Sequence, residues 1–325
     1  VSALPSVQAL QIQAPCRPEI VEIALPEPGP GEVLVKVEAC LTCAQWDLSV
    51  YQGVDLFGRP NHPRYPQPLG RPGHEMAGTV VRCGPGVDSL QPGDRVAPFV
   101  VMGEERGTYA EFCLQESAQL LAVPQSLPFA EAALLEMATC VAAAVRVLGE
   151  VKGRRIGIGG LGGAGLIALQ MLRALGAKEI IGFDKIPARL TLAMQLGADE
   201  AVDVRNSSSN AGRLEAAIDC SGQAESAQNL LSLTRGPVAL FGVPHGQIHY
   251  GLPEWSRGAS LLAFPGNSRR DAELARDLLA ADKIRAQPLI SATLPLCRYG
   301  EGVDLLARRE AIKVCFIPQR SANLK

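Results

Sequence analysis

Three short stretches carry residue types and spacings that could do chemistry. The first, EACLTCAQWD at 38–47, sets Cys40 and Cys43 in a C-x-x-C spacing. That spacing is open to three readings: a thiol–disulfide pair, half of a zinc knuckle, or one metal ligand with a bystander. The second, GRPGHEMAGTVVRCGPGV at 70–87, holds His74 and Glu75 side by side in a Gly-flanked turn that leads into a strand. The third is Gly160-Leu161-Gly162-Gly163-Ala164-Gly165, a G-x-G-x-x-G pattern with Asp184 further along.

The third stretch has the context that gives its pattern meaning. A predicted strand, RRIGIGG, precedes it, a helix starts at about 163, and a second strand, EIIGFD, ends on Asp184. Gly160 permits a tight turn, Gly162 lets a pyrophosphate approach the backbone, and Gly165 brings helix and sheet together. The helix start, from Gly163, offers unpaired N–H groups and partial positive charge to phosphates. Asp184 can accept hydrogen bonds from a ribose diol and would repel a 2′-phosphate, so NAD is expected over NADP. Lys185 and Arg189 are cations close by, and Arg189 could lie over the adenosine or face solvent.

The elements that must position these residues change character along the chain. Up to about residue 128 the pattern is short strands with Pro/Gly turns: Val33, Val35 and Val37 alternate with Leu34, Lys36 and Glu38, and AGTVVRCG, DRVAPFV and GTYAEFCL follow suit. That reads as a barrel-like β domain. From 129 an Ala/Leu-rich helix gives way to alternating strands and helices, the mark of a parallel α/β sheet. DAELARDLLAADKI at 271–284 is an amphipathic helix, and the tail returns to short strands. RNSSSNAG at 205–212 reads as a polar loop. The 325 residues suit two domains at roughly 100–200 residues each.

Composition excludes some functions. Hydrophobic residues make up 47%, charged residues 20%, and the net charge is −2, so no broad basic surface invites nucleic acid or anionic lipid. No apolar run approaches the roughly 18–20 residues of a membrane helix, and the first residues lack the pattern of a secretory signal. Nine scattered cysteines, an odd number, fit free thiols in a reducing compartment. The expected location is cytoplasmic.

Taken together, PGPGEVLVKV, the cysteine before WD, GHE, GDRV, LGGAG with Asp184, and the C-terminal PLI and IKV resemble the medium-chain, zinc-dependent alcohol dehydrogenase superfamily. The resemblance implies an α/β fold: a GroES-like, partly open β-barrel catalytic domain at 1–137 and 268–325, and a Rossmann doubly wound parallel sheet at 138–267. It implies a catalytic Zn²⁺ held by Cys43 and His74, with Glu75 beside the metal. ALLEMATC resembles the third-ligand segment of the polyol and sorbitol dehydrogenase branch, which assigns Glu136 to that position. One carboxylate is then expected on the metal and the other set back. Thiolate, imidazole and carboxylate suit zinc and leave a position open for a substrate oxygen. Asp47 matches the family aspartate that hydrogen-bonds the metal-bound histidine, and Lys313 matches a basic position near the cofactor pyrophosphate. The implied reaction passes a hydride between NAD(H) and a small alcohol, polyol or sugar alcohol bound in the cleft. The implied assembly is a homodimer or homotetramer, without nucleic-acid or membrane partners.

The opening spacing can now be read. A zinc knuckle needs a second Cys or His pair, and none is present; a thioredoxin-type pair belongs in a βαβ unit, and this one lies in the β region. Cys43 is therefore expected as the ligand and Cys40 as a small buried side chain. The chain departs from the family in two places. The four-cysteine lobe of a structural zinc is missing, since no cysteine lies between Cys83 and Cys113. Gln45 stands where a proton-relaying Ser or Thr is usual, one extra residue precedes Asp47, and Trp46 is expected to line the pocket or pack beneath it. His62 is expected only at the surface. Two alternatives remain in view: a zinc-free NADPH-dependent quinone or enone reductase of the same superfamily, and a non-catalytic NAD-binding relative.

Overall fold

The computed structural model describes residues 6–101, 105–205 and 213–318. The loop expected at 205–212 lies outside these apart from Arg205. The chain divides into two compact units, Val1–Glu136 with Ala286–Lys325, and Met137–Arg285.

The first unit is built on a seven-stranded sheet around the long strand Glu32–Leu41, which pairs antiparallel with Glu75–Cys83, Phe112–Glu116 and Lys313–Ile317. The alternation read along Glu32–Leu41 is broader than expected. Leu34 is as buried as Val33 and Val35, and the register with Glu75–Cys83 shifts between Leu34 and Val35. Leu10, Ile12, Val37, Cys40, Met76, Tyr109, Tyr299 and Phe316 share the core of this unit.

The second unit is a six-stranded parallel sheet. Numbering its strands along the chain from Arg155–Gly159 to Ser260–Leu262, their order across the sheet is 3-2-1-4-5-6. This is the dinucleotide-binding order, with its switch point beside the first strand. In the helix Gly163–Ala174 every residue from Ala164 to Leu172 is buried. The boundary expected at 267/268 falls instead at 285/286. The helix Arg269–Ala280 stays with the parallel sheet because Arg146 clamps Asp271 at 2.9 Å, and Gln170 accepts the Arg285 N–H at 2.9 Å.

Candidate active site

Strand register explains why Cys43 and His74 meet. Leu41 pairs with Glu75 in antiparallel register, so the end of one strand faces the start of the other. Thr42 is pinned from the C-terminal strand: its N–H donates to the Val314 carbonyl at 3.0 Å, and its hydroxyl accepts from the Val314 N–H at 2.9 Å. Cys43 then caps the helix Ala44–Gln52 with its backbone alone, leaving the thiol uncommitted to the cap. Gly73 is required just before His74, since a Cβ there would lie 2.7 Å from the Tyr109 backbone nitrogen.

One ligand atom each from Cys43, His74 and Glu75 lies within 4.8 Å of the others, the one such group among the described residues. Glu136 is outside that group but close: buried, with Oε2 3.9 Å from His74 Nε2. Cys40 takes no part. It is fully buried in the β core, and its thiol donates to the Thr108 carbonyl at 3.1 Å.

Asp47 does not make the contact expected of it. His74 Nδ1 lies 2.9 Å from the Pro72 carbonyl, which can only accept, so Nδ1 carries the proton and Nε2 keeps its lone pair. Asp47 is spent elsewhere. It accepts the Cys43 N–H and the hydroxyls of Tyr109 and Tyr299, each at 2.8 Å. Burial raises its pKa, and the two tyrosine hydroxyls oppose the rise. Asp47 thus fixes the Cys43 backbone and satisfies two buried hydroxyls.

Lys313 was matched to a cofactor-phosphate position. Its ammonium is buried in the first unit, 2.5 Å from Glu75 Oε2 and 2.8 Å from the Thr42 carbonyl. The other Glu75 oxygen, Oε1, is buried with no hydrogen-bond partner. An orphaned carboxylate oxygen beside a thiol and a free imidazole nitrogen fits a divalent metal, and the soft–borderline donor set fits zinc. Lys313 also settles the charge. Zn²⁺ with a thiolate and two carboxylates would carry a net negative charge, and one ammonium neutralises it.

Burial, then the charge of Glu75, pushes the Cys43 thiol far above its ordinary pKa. Burial raises the Glu75 pKa above its ordinary value, with Lys313 working against the rise. The Cys43 thiol holds its proton at neutral pH when no metal is bound, so a metal must displace it. Zinc affinity is expected to fall as pH falls, by about tenfold per pH unit for each proton displaced. Competition with a zinc-binding dye at pH 6, 7 and 8 checks this; a pH-independent affinity would contradict it.

The glycines of the third stretch behave as their spacing requires. Gly160 has φ +83°, and a Cβ there would come within 2.9 Å of the Ser221 nitrogen. A Cβ on Gly165 would strike the Gly160 carbonyl. Gly162, at the helix start, faces open space whose nearest atom is Arg189 Nη1 at 3.8 Å. A side chain would fill that cradle, which suits a pyrophosphate. The Asp184 carboxylate accepts N–H groups from Leu161, Lys185 and Ile186 at 2.7, 2.7 and 2.9 Å, and Arg189 stands 4.0 Å from it. Lys185 is exposed.

Arg71 is a neighbour of the site that sequence reasoning missed, and Trp46 was expected there. Trp46 does reach the site, its ring 5.0 Å from that of His74. Arg71 lies over the other ring system at 5.3 Å and is buried. His62, expected only at the surface, is half-buried in the wall of a cavity that Trp46 and Arg71 also line.

Residues 29–125 match the alcohol dehydrogenase GroES-like domain, and 163–281 match the zinc-binding dehydrogenase family. An alcohol dehydrogenase of Rhizobium meliloti (strain 1021) is 30% identical over 303 residues, 82% of this chain and 86% of that one. Sorbitol dehydrogenase of Gallus gallus is 26% identical over 326 residues, 89% of this chain and 90% of the relative. Among solved structures, a chain described as a zinc-binding dehydrogenase of Sinorhizobium meliloti 1021 bound to NADP superposes with a TM-score of 0.85 at 25% identity, covering 97% of this chain and all of that one (100%). Among the described residues no helix is long and apolar enough to cross a membrane. With both domains matched and a 30%-identical relative spanned across most of its length, this chain belongs to the zinc-type medium-chain dehydrogenase superfamily, a family of oxidoreductases.

Proposed function

We propose that the protein is a dehydrogenase with one catalytic zinc and no structural zinc, interconverting a small alcohol or polyol and its carbonyl with NAD(H). The observation that carries this reading is the buried, unpartnered Glu75 Oε1 among ligand atoms of Cys43 and His74 that lie within 4.8 Å of one another. When bound, zinc supplies a Lewis acid that lowers a hydroxyl pKa, and NAD supplies the hydride acceptor.

The chain's own residues have definite tasks. His74 offers Nε2 because Pro72 holds Nδ1–H. Asp47 keeps the Cys43 backbone in place, and the Trp46 ring packs against that of His74. Lys313 balances Glu75, so that Glu75 and Glu136 can share the metal's coordination without a net negative site. Gly162 and the N-terminus of the helix Gly163–Ala174 would hold the pyrophosphate, and Asp184 the adenosine ribose. A screen of alcohols and polyols with NAD⁺ and with NADP⁺, followed by reduced-nicotinamide absorbance, tests the function. Turnover with none of them would end the proposal.

The coenzyme choice has its own test. Asp184→Gly removes the carboxylate that opposes a 2′-phosphate and leaves Lys185 and Arg189 to meet it. The NAD/NADP ratio of kcat/KM is expected to fall by about 10–100-fold, the equivalent of roughly 1.4–2.8 kcal/mol. A wild type that prefers NADP would refute the assignment of Asp184.

A further inference from the structure

In the second unit the carboxyl ends of the first and fourth sheet strands, Arg155–Gly159 and Ala216–Asp219, stand side by side, with Gly159 paired to Asp219. The strand order reverses between them, and a dinucleotide crosses a sheet of this kind at that point. Gly162 and Asp184 lie toward the first and second strands, the side that the proposed function gives to the pyrophosphate and adenosine. The other lip of the crevice, residues 220–223 and 241–243 after the fourth and fifth strands, is left for the nicotinamide half.

Asp219 closes the fourth strand and is only 1% exposed. One of its carboxylate oxygens accepts the hydroxyls of Ser221 and Ser226 at 2.8 and 2.7 Å, and the other accepts the Gly222 N–H at 2.9 Å. No cation pairs with it among the described residues. Burial raises its pKa, and these three hydrogen bonds oppose the rise. A buried carboxylate without a counter-ion costs stability. What it supplies in return is a group that accepts three converging donors and donates none, which no neutral side chain of its size does.

The loop held in this way has no slack. Gly222 has φ +70°, and a Cβ on it would lie 2.5 Å from the Val243 carbonyl oxygen; one on Gly242 would lie 2.2 Å from the Gly222 nitrogen. Ser221 sits against Gly160, where a Cβ would come within 2.8 Å of the Ser221 Cβ. Ser221 and Gly222 are thus wedged between the glycine turn and the end of the fifth strand, and one carboxylate fixes both. We propose that Asp219 is a positioning residue for the nicotinamide half of the coenzyme: through Ser221 and Gly222 it sets the lip on which that half rests, and it touches neither coenzyme nor substrate itself. The inference rests on the dinucleotide part of the proposed function, and it is tested by binding, without turnover.

Isothermal titration of the full chain compares two ligands. One is the reduced coenzyme that the wild type binds more tightly, NADH or NADPH; the other is ADP, which carries adenosine and pyrophosphate without the nicotinamide half. Asp219→Ala leaves the Gly222 N–H and two hydroxyls without their acceptor, and should raise the Kd of the reduced coenzyme about tenfold while that of ADP stays within about threefold. Asp219→Asn keeps the shape and an oxygen for the Gly222 N–H, and should recover most of the lost affinity. Ser221→Ala is milder, leaving the carboxylate bonded to Ser226 and Gly222; it should show the same selectivity at about threefold, and it decides the question if Asp219→Ala does not fold. Thr234→Val is the structural control. It removes a buried hydroxyl bond to the Leu230 carbonyl at the far end of the helix Ala224–Leu233, and should lower the thermal midpoint with coenzyme affinity unchanged. Equal losses for the reduced coenzyme and ADP overturn the proposal, as does coenzyme binding unchanged in both Asp219→Ala and Ser221→Ala. So does a Thr234→Val loss of coenzyme affinity matching that of Asp219→Ala. A wild type that binds coenzyme but turns over no alcohol ends the dehydrogenase reading and leaves this test intact, whereas one that binds neither reduced coenzyme ends both.

Discussion

Cys43→Ala is expected to lower kcat/KM for alcohol oxidation by at least about 10³-fold, roughly 4 kcal/mol of lost transition-state stabilisation. The thiol is the one soft donor in the group with His74 and Glu75, and its loss leaves an imidazole and carboxylates. Cys40→Ala is the internal control. It removes a sulfur from the β core and a hydrogen bond to the Thr108 carbonyl, at a cost of about 1 kcal/mol in stability, and leaves the donor set whole. Steady-state assays of both variants separate the two cysteines of one C-x-x-C motif. Equal losses would mean that Cys40 also serves the site.

Lys313→Met is expected to destabilise the metal-free protein by about 3–5 kcal/mol, because it strands the fully buried Glu75 carboxylate without its cation. The pair Lys313→Met/Glu75→Gln removes both charges and should recover much of that loss, since the penalty comes from the unpaired charge more than from the missing pair. Denaturant midpoints of the wild type, Lys313→Met, Glu75→Gln and the double variant, measured with a chelator present, give all four corners of the cycle. Additive losses in the double variant would show that Lys313 stabilises the fold without reference to Glu75.

The second unit was legible because its constraints are local. Gly160, Gly162 and Gly165 are dictated by a positive φ, an open helix start and a 1.9 Å approach, and such requirements leave glycines at fixed offsets in any sequence. Cys43, His74, Glu75 and Glu136 could be named through the resemblance, but their proximity depends on the Leu41–Glu75 register, which spacing does not encode. Lys313 comes from 238 residues beyond Glu75, so nothing around either residue announces the pair. Asp47 was assigned to His74 by analogy, and the extra residue in CAQWD carries a different outcome: the helix Ala44–Gln52 points the carboxylate at Tyr109 and Tyr299, and the Pro72 carbonyl takes the histidine. The second domain boundary was set too early because the Arg146–Asp271 and Gln170–Arg285 contacts are long-range. His62 was read as surface because a Pro-rich loop gives no periodic pattern from which burial could be inferred.

The central claim is that Cys43, His74 and the Glu75/Glu136 carboxylates hold one zinc. Elemental analysis of protein purified and dialysed with trace zinc tests it directly. The account predicts about one zinc per chain in the wild type and in Cys40→Ala, and almost none in Cys43→Ala. Two zinc ions per chain, none in the wild type, or the same content in Cys43→Ala as in the wild type would contradict it.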